Sequence, residues 1–254
     1  MSELIVNKLR AAGCVFAEDE AKLLISAART AAELEEMVNR RIAGLPLEHI
    51  LGWAEFCGLR IAVDAGVFVP RQRTEFLVRQ AIALARSGAV VVDLCSGSGA
   101  LGAVLAANFE RIELHAVDID PDAVRCALKN VSMAGGHVYV GDLYEPLPAT
   151  LRNSVDILVA NAPYVPTESI RLLPPEARIY EGPVALNGGK DGLDIIRRVA
   201  DEAALWLVPG GHLLVETSER QVPLTVEIFS RNGLTPRVAT DQELEATIVI
   251  GTRT

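Results

Sequence analysis

Four consecutive residues follow the short apolar run 157–160 and carry groups that could hold an amide or amino nitrogen. An apolar run that stops at a proline-containing turn is typical of a buried strand, and open α/β sheets bind ligands where their strands end. The four residues supply an amide side chain, a main-chain carbonyl before a proline and an aromatic face, but no group that titrates near neutral pH. We therefore expect them to position a planar nitrogen, although ordinary turns use the same residue types. They are Asn161, Ala162, Pro163 and Tyr164.

A glycine-rich turn upstream could approach a ligand with its backbone. The apolar run 90–94 predicts a strand that includes Asp93, and the next residues predict a turn that opens a helix. Glycines in such a turn permit tight bending and bring backbone N–H groups close to a ligand. A glycine turn alone is weak evidence for a site, so its meaning depends on the strands beside it. The residues of the turn are Cys95, Ser96, Gly97, Ser98 and Gly99.

Two further predicted strands end in residues that suit a nucleoside. The run 114–117 is followed by Asp118 and Ile119, about 20 residues after the glycine turn, where nucleoside-binding folds place a carboxylate for ribose hydroxyls. The run 138–140 is followed by Asp142 and Leu143, which could flank an adenine through a polar contact and through packing. Each pair would be unremarkable alone, as a helix start or a turn. Their convergence with the tetrapeptide on one sheet edge favours a shared site.

The elements that must position these residues alternate between strands and helices from Val90 onward. This alternation predicts an α/β fold with a doubly wound parallel sheet. After the tetrapeptide we expect a helix over 193–207 that the sequence Pro209-Gly210-Gly211 ends, and then a strand over 212–216. A helix over 221–232 and two strands, over 234–239 and 247–251, complete the predicted sheet.

The first part of the chain differs in pattern. Residues 4–43 show helical spacing and predict a small bundle, and residues 56–61 could form a hairpin in a connector. In the segment 69–75, Thr74 or Arg73 lies near the start of a helix over 76–85. We therefore expect two domains, an N-terminal helical bundle with its connector hairpin over 1–69 and a larger α/β domain over 70–254.

Composition limits the classes of protein. The chain has 254 residues, half of them apolar, and a formal net charge of −9 that arises mostly after residue 80. Neither part has the basic excess expected of a protein that grips nucleic acid, so no direct nucleic-acid partner is expected. No apolar run long enough for a membrane span and no signal-peptide layout are present, so we expect a cytoplasmic protein without a membrane partner. The four cysteines lack metal or disulfide spacing and the four histidines stand alone, so we expect no metal site.

With these residues in place, nearly the whole chain resembles the protein N5-glutamine methyltransferases, which methylate a glutamine of peptide-chain release factors. The glycine turn and Asp118 resemble the cofactor motifs of that family. Residues 69–75, Val-Pro-Arg-Gln-Arg-Thr-Glu, resemble its Pro-Arg-Pro-Glu-Thr-Glu segment, and the stretches 41–52, 185–193 and 214–221 also fit. The tetrapeptide resembles its Asn-Pro-Pro-Tyr motif, with Ala162 in place of the first proline. Other departures are Gln72-Arg73 in place of Pro-Glu and the altered spacing of Glu181 and Pro183.

The resemblance implies a fold, a cofactor and a reaction. It implies a seven-stranded Rossmann-like class I methyltransferase that uses S-adenosylmethionine and releases S-adenosylhomocysteine. The expected substrate is a protein, a peptide-chain release factor, and the enzyme is expected to work as a monomer. Asn161 to Tyr164 would hold the glutamine, and Arg71 would help to bind the substrate. The cofactor would contact these residues: Asp93, Cys95, Ser96, Gly97, Ser98, Gly99, Asp118, Ile119, Asp142, Leu143 and Asn161.

Two other functions remain open from the sequence. Similar Asn-Pro-Pro-Tyr motifs serve methyltransferases that act on exocyclic amino groups of nucleic-acid bases, at adenine N6 or guanine N2. Steeply salt-dependent binding to DNA or RNA would indicate that function, whereas salt-insensitive binding of a release factor would indicate the protein substrate. A third interpretation is a protein that binds S-adenosylmethionine but has lost transfer, because alanine fixes the backbone less firmly than proline. Transfer of labelled methyl groups into a cell extract distinguishes this from an active enzyme.

The proposed clamp predicts a separation of turnover from cofactor binding. Asn161→Ala should abolish methyl transfer because it removes a side-chain acceptor for the nitrogen, while the glycine turn and Asp118 keep most of the cofactor affinity. Labelled methyl transfer and calorimetric titration with S-adenosylmethionine measure the two properties. Turnover near the wild-type level in this variant would contradict the assignment.

Overall fold

The structure is a computed structural model that describes residues 2–254 as a helical bundle, a two-stranded hairpin and a seven-stranded sheet with helices. Five short 3₁₀ helices connect some of these elements. The helices are α1 Ser2–Ala11, α2 Ala17–Ala27, α3 Ala31–Ile42, α4 Leu47–Leu51, α5 Glu75–Leu84, α6 Ala100–Ala107, α7 Pro121–Val131, α8 Pro175–Tyr180, α9 Pro183–Leu186, α10 Asp194–Trp206 and α11 Val222–Arg231. The strands are β1 Trp53–Phe56, β2 Leu59–Ala62, β3 Val90–Leu94, β4 Glu113–Asp118, β5 His137–Val140, β6 Val155–Ala160, β7 Leu207–Glu216, β8 Leu234–Asp241 and β9 Ala246–Arg253.

The large sheet has the strand order β5-β4-β3-β6-β7-β9-β8. The first five strands in this order are parallel, and β9 runs antiparallel to both β7 and β8. Helices cover both faces of the sheet, because the central strands carry apolar side chains on both faces and each face must be shielded from water. One face packs on Trp206 of α10 and Phe229 of α11, and the other on Leu77 of α5 and Val104 of α6. The structure confirms the predicted seven-stranded, doubly wound α/β fold.

Local signals in the sequence fix where two of the helices begin. The Thr30 side chain accepts a hydrogen bond from the Glu33 N–H (3.1 Å) and caps α3. Asp120 caps α7 in the same way by accepting from the Asp122 N–H (2.8 Å), and Pro121 occupies the first helical position. None of the helices within residues 2–254 has both the length and the apolar composition needed to cross a lipid bilayer.

The boundary between α10 and β7 differs from the prediction. The sequence Pro209-Gly210-Gly211 was expected to separate a helix from a strand, but it lies inside β7, which begins at Leu207. The pairing of β6 with β7 shifts between Val155 and Ile157, so the glycines occupy an irregular start of the strand. A Cβ atom on Gly211 would lie 2.9 Å from the Val155 carbonyl oxygen, so only glycine permits this approach.

The N-terminal helices form their own core and then join the sheet region. α1, α2 and α3 pack around Leu9 and Leu24, which confirms the predicted helical bundle. β1 and β2 pair antiparallel as the predicted hairpin, and Phe56 packs with residues of α5 and α6 rather than with the bundle. Arg41 of α3 also donates to Glu176 of α8 (3.1 Å). The division at residue 69 stays a prediction.

Two glycines of similar backbone conformation, Gly99 and Gly135, should differ in how much stability an alanine substitution costs. Gly99 has φ +75°, and an added Cβ would lie 2.8 Å from Val131 and 3.1 Å from Ala127, both on α7. Gly135 has φ +74° with nothing within 4 Å of an added Cβ. Gly99→Ala should lower the free energy of unfolding by about 2–4 kcal/mol, because it combines left-handed strain with overpacking.

Gly135→Ala is the matched control and should cost about 1–2 kcal/mol from strain alone. Urea unfolding of both variants measures the two losses. Equal losses would show that the approach of α6 to α7 does not depend on the missing side chain at residue 99.

Candidate active site

A cleft of about 610 Å³ lies at the carboxyl ends of the parallel strands. It forms there because the strands pair in register: Leu94 of β3 is opposite both Val117 of β4 and Ala160 of β6, and Asp118 is opposite Val140 of β5. The segments that follow these strands therefore meet at one edge. The predicted site residues that line the cleft are Arg71, Cys95, Ser96, Gly97, Ser98, Asp118, Ile119, Asp142, Leu143, Asn161, Ala162, Pro163 and Tyr164. Asp93 and Gly99 do not line it.

The glycine turn and Asp118 are joined by hydrogen bonds. The Gly97 N–H donates to Oδ2 of Asp118 (2.7 Å), and the Asp120 N–H donates to Oδ1 (2.9 Å). Each carboxylate oxygen keeps a further lone pair, so Asp118 can still accept hydroxyl groups from a ligand. Burial raises the pKa of Asp118, and these N–H donors oppose the shift. Ser96 also lines the cleft, and its buried hydroxyl has no hydrogen-bond partner within residues 2–254.

Asp93 lies behind the glycine turn, with only 1% of its surface exposed. Its Oδ2 accepts from the Gly102 N–H of α6 (3.0 Å), while Oδ1 has no partner among the described residues. Burial raises the pKa of Asp93 to about 7; the Gly102 N–H opposes this shift and the charge of Asp118 adds to it. The structure thus places the predicted cofactor residue Asp93 beneath the cleft, where it holds the start of α6.

Two cleft residues have a strained backbone. Cys95 has φ +55° and Leu143 has φ +50°, in the left-handed region that favours glycine. Such strain persists only where the surrounding fold imposes it, and it is frequent at functional sites. The neighbouring Asp142 accepts from Arg198 of α10 (2.7 Å), so its carboxylate is already paired at the cleft wall.

The tetrapeptide after β6 presents hydrogen-bond acceptors. The Asn161 Nδ2 donates to the Thr74 hydroxyl over a long contact of 3.4 Å. Within residues 2–254, neither the Asn161 Oδ1 atom nor the Ala162 carbonyl oxygen accepts a hydrogen bond. The Tyr164 hydroxyl donates to Glu216 (2.8 Å), and burial, followed by the charge of Glu216, raises its pKa. Tyr164 is therefore protonated at neutral pH, and the tetrapeptide holds no group that exchanges a proton there.

Glu216, at the end of β7, was not predicted as a site residue. It accepts from Arg73 Nε (3.1 Å), from the Thr74 hydroxyl (2.7 Å) and from the Tyr164 hydroxyl. Thr74 lies at the start of α5, as expected, but its side chain does not cap the helix. Two sequence signals could have indicated Glu216: it is a carboxylate at the end of an apolar strand, and it lies in the stretch 214–221 that resembles the family.

A second glycine loop packs against the backbone of the tetrapeptide. A Cβ atom on Gly188 would lie 2.6 Å from the Pro163 carbonyl oxygen, and one on Gly192 would lie 2.2 Å from that of Tyr164. Gln221 holds the two segments together, because its Nε2 donates to the Tyr164 and Asp191 carbonyl oxygens (2.9 Å each). Close backbone approach thus explains the glycines in this loop.

Arg71 lines the cleft but has a partner within the protein. Its Nη2 donates to both carboxylate oxygens of Glu181 (2.6 Å each), and its guanidinium carbon lies 4.8 Å from the centre of the Phe68 ring. Glu181 also accepts from the Val69 N–H (3.2 Å) and is buried. These contacts tie the segment before α5 to the segment between α8 and α9, and the predicted substrate contact of Arg71 stays a prediction.

Comparison with known proteins identifies the class. Residues 58–173 match the family described as "Methyltransferase small domain". The fold is also similar to that of solved methyltransferases, among them the 16S rRNA N2 G1207 methyltransferase of T. thermophilus, solved with AdoMet and guanosine. That structure superposes with a TM-score of 0.57 at 21% identity, over 80% of this chain and 50% of the other. The fold is that of the Rossmann-like class I methyltransferases, and the chain is a methyltransferase.

Its relatives identify the family within that class. The release factor glutamine methyltransferase of Geobacter sulfurreducens is 39% identical over 199 residues, which are 78% of this chain and 69% of the relative. A Streptomyces pristinaespiralis enzyme, named 4-amino-L-phenylalanine/4-methylamino-L-phenylalanine methyltransferase, is 36% identical over 77% of this chain and 69% of its own length. The chain belongs to the release factor glutamine methyltransferase family.

The raised pKa of Asp93 predicts a pH dependence of stability. A carboxyl group whose pKa is about 7 when folded and about 4 when unfolded binds its proton more tightly in the folded state. Its stabilising contribution is complete below about pH 4 and is lost as the pH rises to about 7. The difference in free energy of unfolding between wild type and Asp93→Asn should therefore fall by about 1.4 kcal/mol per pH unit between about pH 5 and about pH 6, and should level off above about pH 7.

Urea unfolding of both proteins across this range measures the difference, and Asp93→Asn is itself the control because it keeps the shape and cannot titrate. A difference that stays constant with pH would show that folding does not raise the pKa of Asp93.

Proposed function

We propose that this protein transfers a methyl group from S-adenosylmethionine to the side-chain amide nitrogen, N5, of a glutamine in a peptide-chain release factor. The observation that carries the proposal is the pair of unused acceptors, Asn161 Oδ1 and the Ala162 carbonyl oxygen, in the same cleft as the glycine turn and Asp118. The name of the Geobacter relative supports the substrate. The site residues named from the sequence that line the cleft keep their proposed roles here, whereas Asp93 and Gly99 do not line it.

The polar groups of the cleft fit the cofactor. The unpartnered Ser96 hydroxyl and the remaining lone pairs of Asp118 are acceptors for hydroxyl or ammonium groups, and Leu143 provides apolar contact. The carboxylate of Asp118, which lines the cleft and has no cationic partner among the described residues, suits a cationic sulfonium compound. The AdoMet bound in the T. thermophilus neighbour supports the same cofactor. When bound, S-adenosylmethionine supplies an electrophilic methyl group and leaves as S-adenosylhomocysteine.

The chain's own residues would prepare the acceptor nitrogen. A glutamine amide nitrogen is a poor nucleophile because its lone pair is delocalised, and it carries two N–H donors. Asn161 Oδ1 and the Ala162 carbonyl oxygen would accept these donors, hold the nitrogen in line with the methyl group and favour the positive charge that develops on it. Tyr164 would pack on the plane of the amide. Loss of a proton from the nitrogen can follow transfer, so the clamp needs no base.

Ala162, which stands in place of the first proline of the Asn-Pro-Pro-Tyr motif, retains this chemistry. The carbonyl oxygen is a backbone atom, so alanine provides it as well as proline does. Ala162 is almost fully buried, and the glycine loop around Gly188 and Gly192 packs on the residues that follow it. Packing therefore supports the backbone where the ring of a proline would have fixed it.

Mass spectrometry of purified release factors, before and after incubation with this protein and S-adenosylmethionine, tests the proposal. We expect one added methyl group on one glutamine, and none on a release factor in which that glutamine is replaced by glutamate. Two outcomes would contradict the proposal. One is methylation of DNA or RNA with unmodified release factors, and the other is preferential methylation of 4-amino-L-phenylalanine, the type of substrate for which the Streptomyces pristinaespiralis relative is named.

A further inference from the structure

Glu216 is a buried charge that three donors surround. It is 2% exposed, and its donors come from distant parts of the sequence: Arg73 and Thr74 at the start of α5, and Tyr164 after β6. Arg73 and Tyr164 both donate to Oε1, whereas Thr74 donates to Oε2. Burying a carboxylate is costly unless it is fully hydrogen-bonded, and this one is. Glu216 lies beside the proposed amide clamp, so its hydrogen bonds could position the residues of the clamp.

The direction of each hydrogen bond follows from the chemistry of the groups. A carboxylate can only accept, so the single hydroxyl proton of Thr74 points to Glu216 (2.7 Å). The Thr74 oxygen can then only accept from Asn161, and the group that lies next to it is the Asn161 nitrogen (3.4 Å). The carboxylate thus determines, through one hydroxyl, which end of the Asn161 amide turns away from Thr74.

This orientation matters because an asparagine amide has an oxygen end that accepts hydrogen bonds and a nitrogen end that donates them. With Nδ2 toward Thr74, Oδ1 is left as the acceptor that the glutamine N–H requires. With the amide reversed, Asn161 would present N–H donors to the donors of the substrate. The contact of 3.4 Å between Asn161 Nδ2 and the Thr74 oxygen is too long to be a strong hydrogen bond. The fixed direction of the Thr74 hydroxyl proton therefore determines the orientation of the Asn161 amide more than the strength of this hydrogen bond does.

We propose that Glu216 and Thr74 are positioning residues: the Glu216 carboxylate orients the Thr74 hydroxyl, which keeps Asn161 Oδ1 turned toward the methyl acceptor. This inference rests on the proposed function for its chemical purpose, but the hydrogen-bond relay itself is a property of the protein without substrate. Glu216 also holds the Tyr164 ring through the hydroxyl group at the other end of the clamp.

The isosteric variant Glu216→Gln reverses the relay. Arg73 and Tyr164 both donate to the position of Oε1, so the glutamine oxygen takes that place and its NH₂ group faces Thr74. The Thr74 hydroxyl must then accept from residue 216, and its proton becomes available to Asn161 Oδ1. The Asn161 amide turns, and its NH₂ group meets the substrate. Thr74→Val instead removes the relay and leaves the amide without a preferred orientation, whereas Thr74→Ser keeps the hydroxyl.

Steady-state methylation of a glutamine peptide by these variants tests the relay. Thr74→Val should lower kcat by on the order of tenfold and Glu216→Gln by on the order of a hundredfold, with unchanged affinity for S-adenosylmethionine. Thr74→Ser should remain within about threefold of wild type. Thr225→Val is the matched control, because it also removes a buried threonine hydroxyl, one that donates to the carbonyl oxygen of Gln221 just before α11 (3.0 Å), and it should leave kcat unchanged.

The double variant Thr74→Val with Glu216→Gln separates orientation from packing. Without the Thr74 hydroxyl, Glu216→Gln cannot reverse Asn161, so the double variant should lose no more activity than Glu216→Gln alone. Losses that multiply would mean that the two residues act independently and would overturn the proposal. Wild-type kcat in Glu216→Gln would overturn it as well.

A readout that needs no substrate distinguishes this inference from the proposed function. In isotope-labelled protein, nuclear Overhauser contacts between the Asn161 side-chain NH₂ and the Thr74 methyl group should be present in wild type and lost in Glu216→Gln. If they are lost while wild type methylates no glutamine, the relay stands and the proposed function fails. If they persist in Glu216→Gln, the relay is wrong whatever the substrate.

Discussion

In-register pairing of the parallel strands is the constraint on which the site depends. β3, β4, β5 and β6 end level with one another, so the residues that follow them share one edge without any further device. The turn at Gly97, the carboxylate of Asp118 and the amide of Asn161 come together for this reason. A shift of β6 by one residue would turn its buried side chains to the opposite face of the sheet and remove Asn161 from the cleft.

The cleft presents mainly acceptors to its ligands. Asp118 keeps free lone pairs, and Asn161 Oδ1, the Ala162 carbonyl oxygen and the buried Ser96 hydroxyl have no hydrogen-bond partner within residues 2–254. The cationic donors nearby are largely paired within the protein, Arg71 with Glu181 and Arg198 with Asp142. This distribution suits a cationic methyl donor together with a substrate whose nitrogen donates N–H hydrogen bonds. The same electrostatic pattern therefore serves both the methyl donor and the methyl acceptor of the proposed reaction.

The features that could be predicted from the sequence were those that local residue patterns determine. Apolar runs marked the strands and therefore the residues at their ends, and periodicity marked the N-terminal bundle. The sequence could not show that Glu216 receives donors from Thr74 and Tyr164, because these residues meet only when the sheet closes. The same glycine spacing suits ligand approach and helix packing, so only the contact with α7 shows why Gly99 must be glycine. Likewise, a Pro-Gly-Gly sequence suggested a break where the structure has an irregular strand.

A crystal structure with S-adenosylhomocysteine and a glutamine-containing peptide from a release factor tests the central claim most directly. The account predicts the glutamine amide nitrogen within hydrogen-bonding distance of both Asn161 Oδ1 and the Ala162 carbonyl oxygen, facing the sulfur of the cofactor product. It also predicts that Asp118 contacts the ribose of that product. A glutamine bound outside this cleft, or held by the nitrogen of Asn161 instead of its oxygen, would contradict the account.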